Sequence, residues 1–258
     1  MSCSIRNSTW DPNGVTVAGL ENELLLPYAV IFSKDYSNMF VADTRNNRVL
    51  RYNADFSAFT MVYDGFDTDK RIEGPMAIAL TNDGNELIVT SFSDKRVLRR
   101  SFVTNLSSLV SFNYLGGATG LAVDQNDTIF VARSIENSVT SFDRNTRPYW
   151  DSGYWFARGF LGIKHITIVS QFIYIALSRG CRVVKASLEN SNEDAIVVAG
   201  TGRIGSTADR LRFPWGVAVD PVDEHVFVSD SRNHRIQLCK HLSFLNSIFY
   251  KHSSPRVC

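Results

Sequence analysis

The feature that most constrains this chain is a phrase it repeats. VADTRNNRVLRY, beginning at Val41, returns as VSDSRNHRIQLC at Val228, and weaker copies begin at Val89, Val131 and Ile175. The five starts lie 48, 42, 44 and 53 residues apart. A second apolar element keeps step upstream of each copy: PYAVIF from Pro27, PMAIAL from Pro75, ATGLAV from Ala118, IKHITIV from Ile163 and PWGVAV from Pro214. Self-similarity at about 40 to 50 residues marks stacked supersecondary units, each of which buries its apolar faces only against its neighbours.

Each unit reads as a short apolar run, a polar turn, a second run ending near Asp or Ser, another turn and a third run. A fourth run follows in FTMVYDG from Phe59, LVSFNYLGG from Leu109 and AIVVAGTG from Ala195. The runs are rich in Val, Ile, Phe and Tyr and bounded by Asn, Asp, Gly and Ser, the signature of strands, and no stretch sustains a helical period. Four antiparallel strands in about 47 residues describe one blade of a β-propeller. The chain is therefore expected to be all-β, a single propeller domain with blades near 27–65, 75–116, 118–157, 163–200 and 214–250. GVTVAG, residues 14–19, matches IVVAGT and is expected to be the outermost strand of a sixth blade whose inner strands are not upstream of it. An incomplete propeller is the favoured reading; an irregular five-bladed ring closed by Val15 to Ala18 is the alternative.

Two segments make a resemblance specific. LPYAVIFSKDYSNMFVADTRNNRVLRY (Leu26 to Tyr52) and FPWGVAVDPVDEHVFVSDSRNHRIQ (Phe213 to Gln237) resemble NHL repeats, whose blades carry Pro, a G-V-A-V-D-like strand and a D-x-x-N-x-R-I turn. The family's Asp falls on Asp43 and Asp230, its Asn on Asn46 and Asn233, and its Arg on Arg48 and Arg235. Ser91, Arg133 and Leu177 replace the Asp elsewhere. Propellers of this type commonly have six blades. Tripartite-motif relatives use the turn-and-linker face for RNA in some members and for protein in others, so the resemblance implies a binding face there.

The turn itself suggests a structural device. Asp43 and Asp230 end a strand, where an Asx side chain can accept N–H groups of the following turn, and Asn at 46, 47 and 233 tolerates left-handed backbone. The Arg five residues on lies within reach of the carboxylate for a charge-assisted pair. A motif repeated blade after blade argues against catalysis.

Other chemistry finds little support. A hydrophobic fraction of 44% and a net charge of +1 suit a soluble globular chain. The longest apolar run, Leu24 to Phe32, is far short of a bilayer span, and the polar start MSCSIRNSTWDPNG does not read as a secretory signal, leaving the compartment open. Cys3, Cys181, Cys239 and Cys258 are widely spaced, and unpaired thiols are favoured. AIVVAGTGRIG carries G-x-G-x-x-G at Gly200–Gly205, but Pro214 and Gly216 leave no room for the helix a dinucleotide site needs, so a linker is expected and no cofactor. No metal ligands or catalytic residues are assigned. Only His165 is placed to line the channel, where an amidating-lyase-like or lactonase-like propeller would need converging groups.

Antiparallel geometry puts the second turn of every blade on the same face as the interblade linkers. Those loops carry a summed charge of +6, and the loops of the opposite face carry −8. The basic face holds the candidates: Tyr28, Lys164 and Trp215, each one residue into an inner strand, with Arg45, Arg179, Arg203, Arg212 and Arg232 around them. Aromatic area inside a belt of arginines suits an acidic peptide or single-stranded RNA. A non-catalytic scaffold for a protein partner is the first expectation, RNA binding by the same face the second, and a channel-mouth metal-dependent lyase or hydrolase the third.

Overall fold

A computed structural model describes residues 15–19, 23–64, 71–111, 116–144, 154–189 and 195–239. They form five antiparallel sheets in chain order. The first contains β1 (Pro27–Phe32), β2 (Asn38–Asp43), β3 (Arg48–Asn53) and β4 (Phe59–Tyr63); the second, β5 (Pro75–Leu80), β6 (Glu86–Ser91), β7 (Arg96–Ser101) and β8 (Ser107–Ser111). The third contains β9 (Ala118–Val123), β10 (Ile129–Arg133), β11 (Ser138–Phe142) and β12 (Tyr154–Arg158); the fourth, β13 (Ile163–Val169), β14 (Phe172–Leu177), β15 (Arg182–Ser187) and β16 (Ile196–Ala199). The fifth has three strands, β17 (Pro214–Val219), β18 (Val226–Asp230) and β19 (Arg235–Cys239); the fourth strand expected by residue 250 lies outside the described residues. The architecture is a β-propeller of five blades. No helix among the described residues is long and apolar enough to cross a membrane.

The strands alternate because both sheet faces pack on neighbouring blades. Val49 faces forward into a layer with Ile78, Leu87 and Leu98 of the next sheet, and the same contact recurs between the second and third, third and fourth, and fourth and fifth sheets. Val49, Val97, Val139 and Val183, all second in their third strands, are 0% exposed. Burying such a side chain contributes on the order of 2 kcal/mol. Their counterpart in the fifth sheet, Ile236, is 69% exposed.

The other end of the array shows the same defect. Ile78, Leu121, Ile166 and Val217 face backward from their inner strands and are at most 6% exposed, whereas Val30 of β1 is 56% exposed. Among the described residues, the forward face of the fifth sheet and the inner part of the backward face of the first thus lack the layer found between the other neighbouring pairs. Ala18 and Leu24 cover only the outer part, against Met39, Val41, Leu50 and Tyr52. Residues 15–18 sit where an outermost strand of a preceding blade would lie, but they form no strand, which corrects that expectation. Among the described residues no inner strand lies beside them, so they have no ladder to join. The thiol reading also needs correction: Cys181 is free and buried, but Cys239 is disulfide-bonded, with its partner outside the described residues.

Candidate functional site

Each inner strand begins with two irregularities that shape one mouth of the channel. The residue before the strand is left-handed in all five blades: Leu26, Gly74, Gly117, Gly162 and Phe213, with φ between 48° and 70°. A β-bulge follows, which leaves Tyr28, Thr119 and Lys164 out of register in their strands, and two residues out of register in β5 and β17. Bulges re-aim side chains away from the ladder. In β5 and β17 the displaced N–H groups of Ala77 and Gly216 donate instead to the hydroxyls of Thr90 (3.0 Å) and Ser229 (2.6 Å).

The repeated turn anchors this mouth from behind, by a different route from the one expected. Asp43 and Asp230, both buried, make no cap bond to their own turns. Instead Asp230 accepts the N–H of Arg212 in the preceding linker at 2.6 Å, and Asp43 that of Leu25 at 2.7 Å. Asn233 (2.7 Å) and Arg235 (2.8 Å) also donate to Asp230, and Asn46 and Arg48 do so to Asp43, both at 2.8 Å. Arg235 then reaches the linker carbonyls of Ser206, Thr207 and Arg210. The motif is a staple holding the linker to the turn. Of the three asparagines expected to tolerate left-handed backbone, Asn47 adopts it and Asn46 and Asn233 do not; in the fifth blade the position equivalent to Asn47 is His234. The substituted blades keep parts of the device. Ser91 accepts the N–H of Glu73, and in the third sheet the charges are exchanged, with buried Arg133 paired to Glu136 at 3.0 Å.

Between the third, fourth and fifth sheets these loops enclose a pocket of about 700 Å³. Lys164, Arg179 and Arg232 bring cations to it, and Trp215 and Phe213 form aromatic walls. Lys164 Nζ lies 4.8 Å above the Trp215 ring centroid, and the Arg232 guanidinium lies 5.4 Å above that of Phe213. On its other flank Trp215 meets Tyr28 at 6.3 Å, across the uncovered sector. Burial lowers the Lys164 pKa from its usual value, and the neighbouring Arg179 charge lowers it further. Among the described residues no carboxylate lines the pocket and none of the three cations forms an ion pair. Gly162 matters here: a Cβ on it would stand 3.0 Å from the Arg179 backbone nitrogen, so only glycine lets that turn settle against the linker.

Of the residues singled out in the sequence, Lys164, Arg179, Trp215 and Arg232 converge in the pocket, with Tyr28 at its edge. Arg45, Arg203 and Arg212 are exposed outside its lining. Phe213, His234, Ser134, Ser178 and Ser231 also line it and carried no signal of their own, except that Phe213 holds a position glycine occupies in three other blades.

The opposite mouth is different. Lys34, Asn82 and Asp127 tie its turns together, and His165 lines a cavity of about 380 Å³ with both apolar residues, such as Ile31, Leu80 and Ile168, and polar ones, such as Lys34, Thr81 and Asn82. His165 Nδ1 accepts the Val217 N–H at 3.5 Å, and burial lowers its pKa. Residues 200–213 follow β16 as an irregular linker with one isolated bridge, Ile204 to Leu211. Gly200–Gly205 therefore opens no helix, as expected of a linker. No group of three or more His, Cys, Asp or Glu side chains among the described residues is arranged to hold a metal.

Residues 211–237, the staple and inner strands of the fifth blade, match the family model "NHL repeat". The chain is a β-propeller that carries an NHL repeat. No curated protein sequence matches this NHL propeller. Among solved structures it is similar to an auxiliary nutrient binding protein from Bacteroides thetaiotaomicron, at 13% identity and a TM-score of 0.63, over 83% of this chain and 55% of that one. Virginiamycin B lyase from Staphylococcus aureus gives 13% identity and 0.57, over 84% and 70%. A chain in a nidogen/laminin complex gives 14% and 0.56, over 67% and 64%. The NHL propeller thus spans less than two thirds of the nidogen/laminin and nutrient-binding chains. At such identities the likeness is one of fold.

Proposed function

We propose that this NHL propeller is a non-catalytic binding module that takes an acidic segment of a protein partner in the pocket between its third, fourth and fifth sheets. The observation that carries this reading is the set of three cations that have no carboxylate partner among the described residues, gathered on aromatic walls. Like charges so placed repel one another, and an anionic ligand relieves that repulsion while exchanging little water from arginine, which is weakly hydrated. Lys164 and Arg232 already lie over Trp215 and Phe213, so one face of each ring is occupied by a cation and withheld from a stacking base. That arrangement favours anion capture over the base stacking on which single-stranded RNA binding depends.

Solved structures of like fold include both binding proteins and a lyase, so the enzymatic alternative turns on local groups. His165, its nearest candidate, stands in a cavity whose described lining contains no carboxylate. The test is fluorescence anisotropy with a labelled Asp/Glu-rich peptide and with oligouridylate of equal charge. The peptide should bind in a salt-sensitive manner, and Arg179→Glu with Arg232→Glu should weaken it by about tenfold or more, since about 1.4 kcal/mol suffices for that factor. A control reversal on the opposite face, Glu189→Lys with Asp223→Lys, should not. It spares Glu224, whose carboxylate is held by Lys185 at 2.8 Å. Tighter binding of the RNA, or loss of peptide binding in the control alone, would overturn the reading.

A further inference from the structure

The charge count of the pocket says more than that its ligand is anionic. We propose, resting on the reading above, that the anchoring group is a phosphoryl monoester on a side chain of the protein partner. Lys164, Arg179 and Arg232 enter one pocket from three different segments: the start of β13, the second turn of the fourth blade and the second turn of the fifth. A single carboxylate brings one negative charge, which one arginine is enough to balance. Two cations would remain crowded beside it. A phosphorylated Ser, Thr or Tyr brings a charge of about −1.5 to −2 and three terminal oxygens, enough to face all three cations at once.

The walls support the same assignment. Trp215 and Phe213 hold Lys164 and Arg232 by cation–π contact, which fixes two flexible cations in place before any ligand arrives. Such preorganisation suits a compact, highly charged target more than a diffuse acidic surface, because little side-chain freedom remains to be lost on binding. Burial lowers the Lys164 pKa first and the Arg179 charge lowers it further, and that second effect is the one an anion in the pocket would offset. The volume of about 700 Å³ leaves room for the residue that bears the group and for its neighbours.

The experiment uses a fluorescein-labelled alanine–glycine peptide carrying one phosphoserine, with its Glu and Ser counterparts, at constant ionic strength and neutral pH. The phosphoserine peptide should bind about tenfold or more tightly than the Glu peptide. Inorganic phosphate should displace it and acetate should not. Its affinity should rise as pH passes about 6, where the second phosphate proton leaves, and Arg179→Glu should abolish the preference. Equal binding of the phosphoserine and Glu peptides, with the Asp/Glu-rich peptide still captured, would overturn the phosphoryl assignment and leave the acidic-segment reading standing. Failure of both peptide types, or displacement by oligouridylate but not by phosphate, would overturn both. If Arg179→Glu proves unstable, Arg179→Gln with its melting temperature checked replaces it, and an unaltered preference in that variant also refutes the proposal.

Discussion

Replacing Asp230 with alanine should destabilise the fifth blade through its linker rather than through its turn. The carboxylate is fully buried and accepts three hydrogen bonds, from the Arg212 N–H, the Asn233 amide and Arg235 Nε. Arg235 is partly exposed and keeps three carbonyl partners, so its loss is modest. The Arg212 N–H and one Asn233 hydrogen are left without their acceptor, at about 1 to 2 kcal/mol each. Together these give roughly 2 to 4 kcal/mol. Ser91→Ala, which removes a neutral acceptor of the Glu73 N–H and a donor to Asp94, should cost less, about 1 to 2 kcal/mol. Urea denaturation distinguishes these cases through the midpoint at unchanged slope. If Asp230→Ala costs less than about 1 kcal/mol, or no more than Ser91→Ala, the staple is not what the carboxylate does. Peptide binding measured on the folded fraction should be unchanged, because Asp230 does not line the pocket.

Three further outcomes follow from the same geometry. Phe213 is held at φ 52°, a conformation that costs a bulky residue on the order of 1 kcal/mol, so Phe213→Gly should leave stability level or slightly raised while weakening peptide binding severalfold; a marked loss of stability would show that its ring is structural. Burial holds the folded-state pKa of His165 below its ordinary value, so the native state prefers it neutral; stability should be complete above about pH 6.5 and fall as pH drops below that, and His165→Asn should flatten this slope in pH-dependent melts. Asp35 and Asp83, held at about 2 by hydroxyl and backbone donors, lose their contribution only as pH falls from 3.8 towards 2, so they do not account for that window. Val183→Ala should cost about 2 kcal/mol by chemical denaturation and Ile236→Ala under about 0.5, since only the first is covered.

The propeller was legible because its information is repeated. A period seen five times in the runs at Pro27, Pro75, Ala118, Ile163 and Pro214 outweighs the ambiguity of any one run, and alternation in each run then fixes which side chains enter the interblade layers. The loops needed only topology: antiparallel order assigns Arg179 and Arg232 to the side of the linkers that carry Phe213. What the phrase could not convey was the partner of its own carboxylate. Asp43 and Asp230 pair with linker N–H groups 18 residues upstream, and nothing local distinguishes that bond from a turn cap. Phe213 was hidden for a similar reason. Its left-handed backbone is recognised only by setting it beside Gly74, Gly117 and Gly162, which the resemblance, beginning at the proline, does not invite.

That comparison also bears on where the strain is kept. Leu26 and Phe213 are the two non-glycine residues among the five left-handed positions, and they belong to β1 and β17, the inner strands on either side of the uncovered sector. At the three intervening positions a glycine lets the linker lie against the neighbouring turn, as Gly162 does against Arg179. At the two flanking ones a large side chain takes the glycine's place and its cost, and the next residue but one is an exposed aromatic, Tyr28 after Leu26 and Trp215 after Phe213. The two aromatics meet, so the strained strand starts are joined where the sheets are not. A backbone outlier is retained where surrounding contacts over-determine it, commonly beside a binding site. In the fifth sheet those contacts are the Pro214 ring position, the Asp230 staple on Arg212 and the Arg232 guanidinium over Phe213. The last of these is itself part of the wall of the cationic pocket, so relaxing the strand start at Phe213 and loosening the pocket are one structural event.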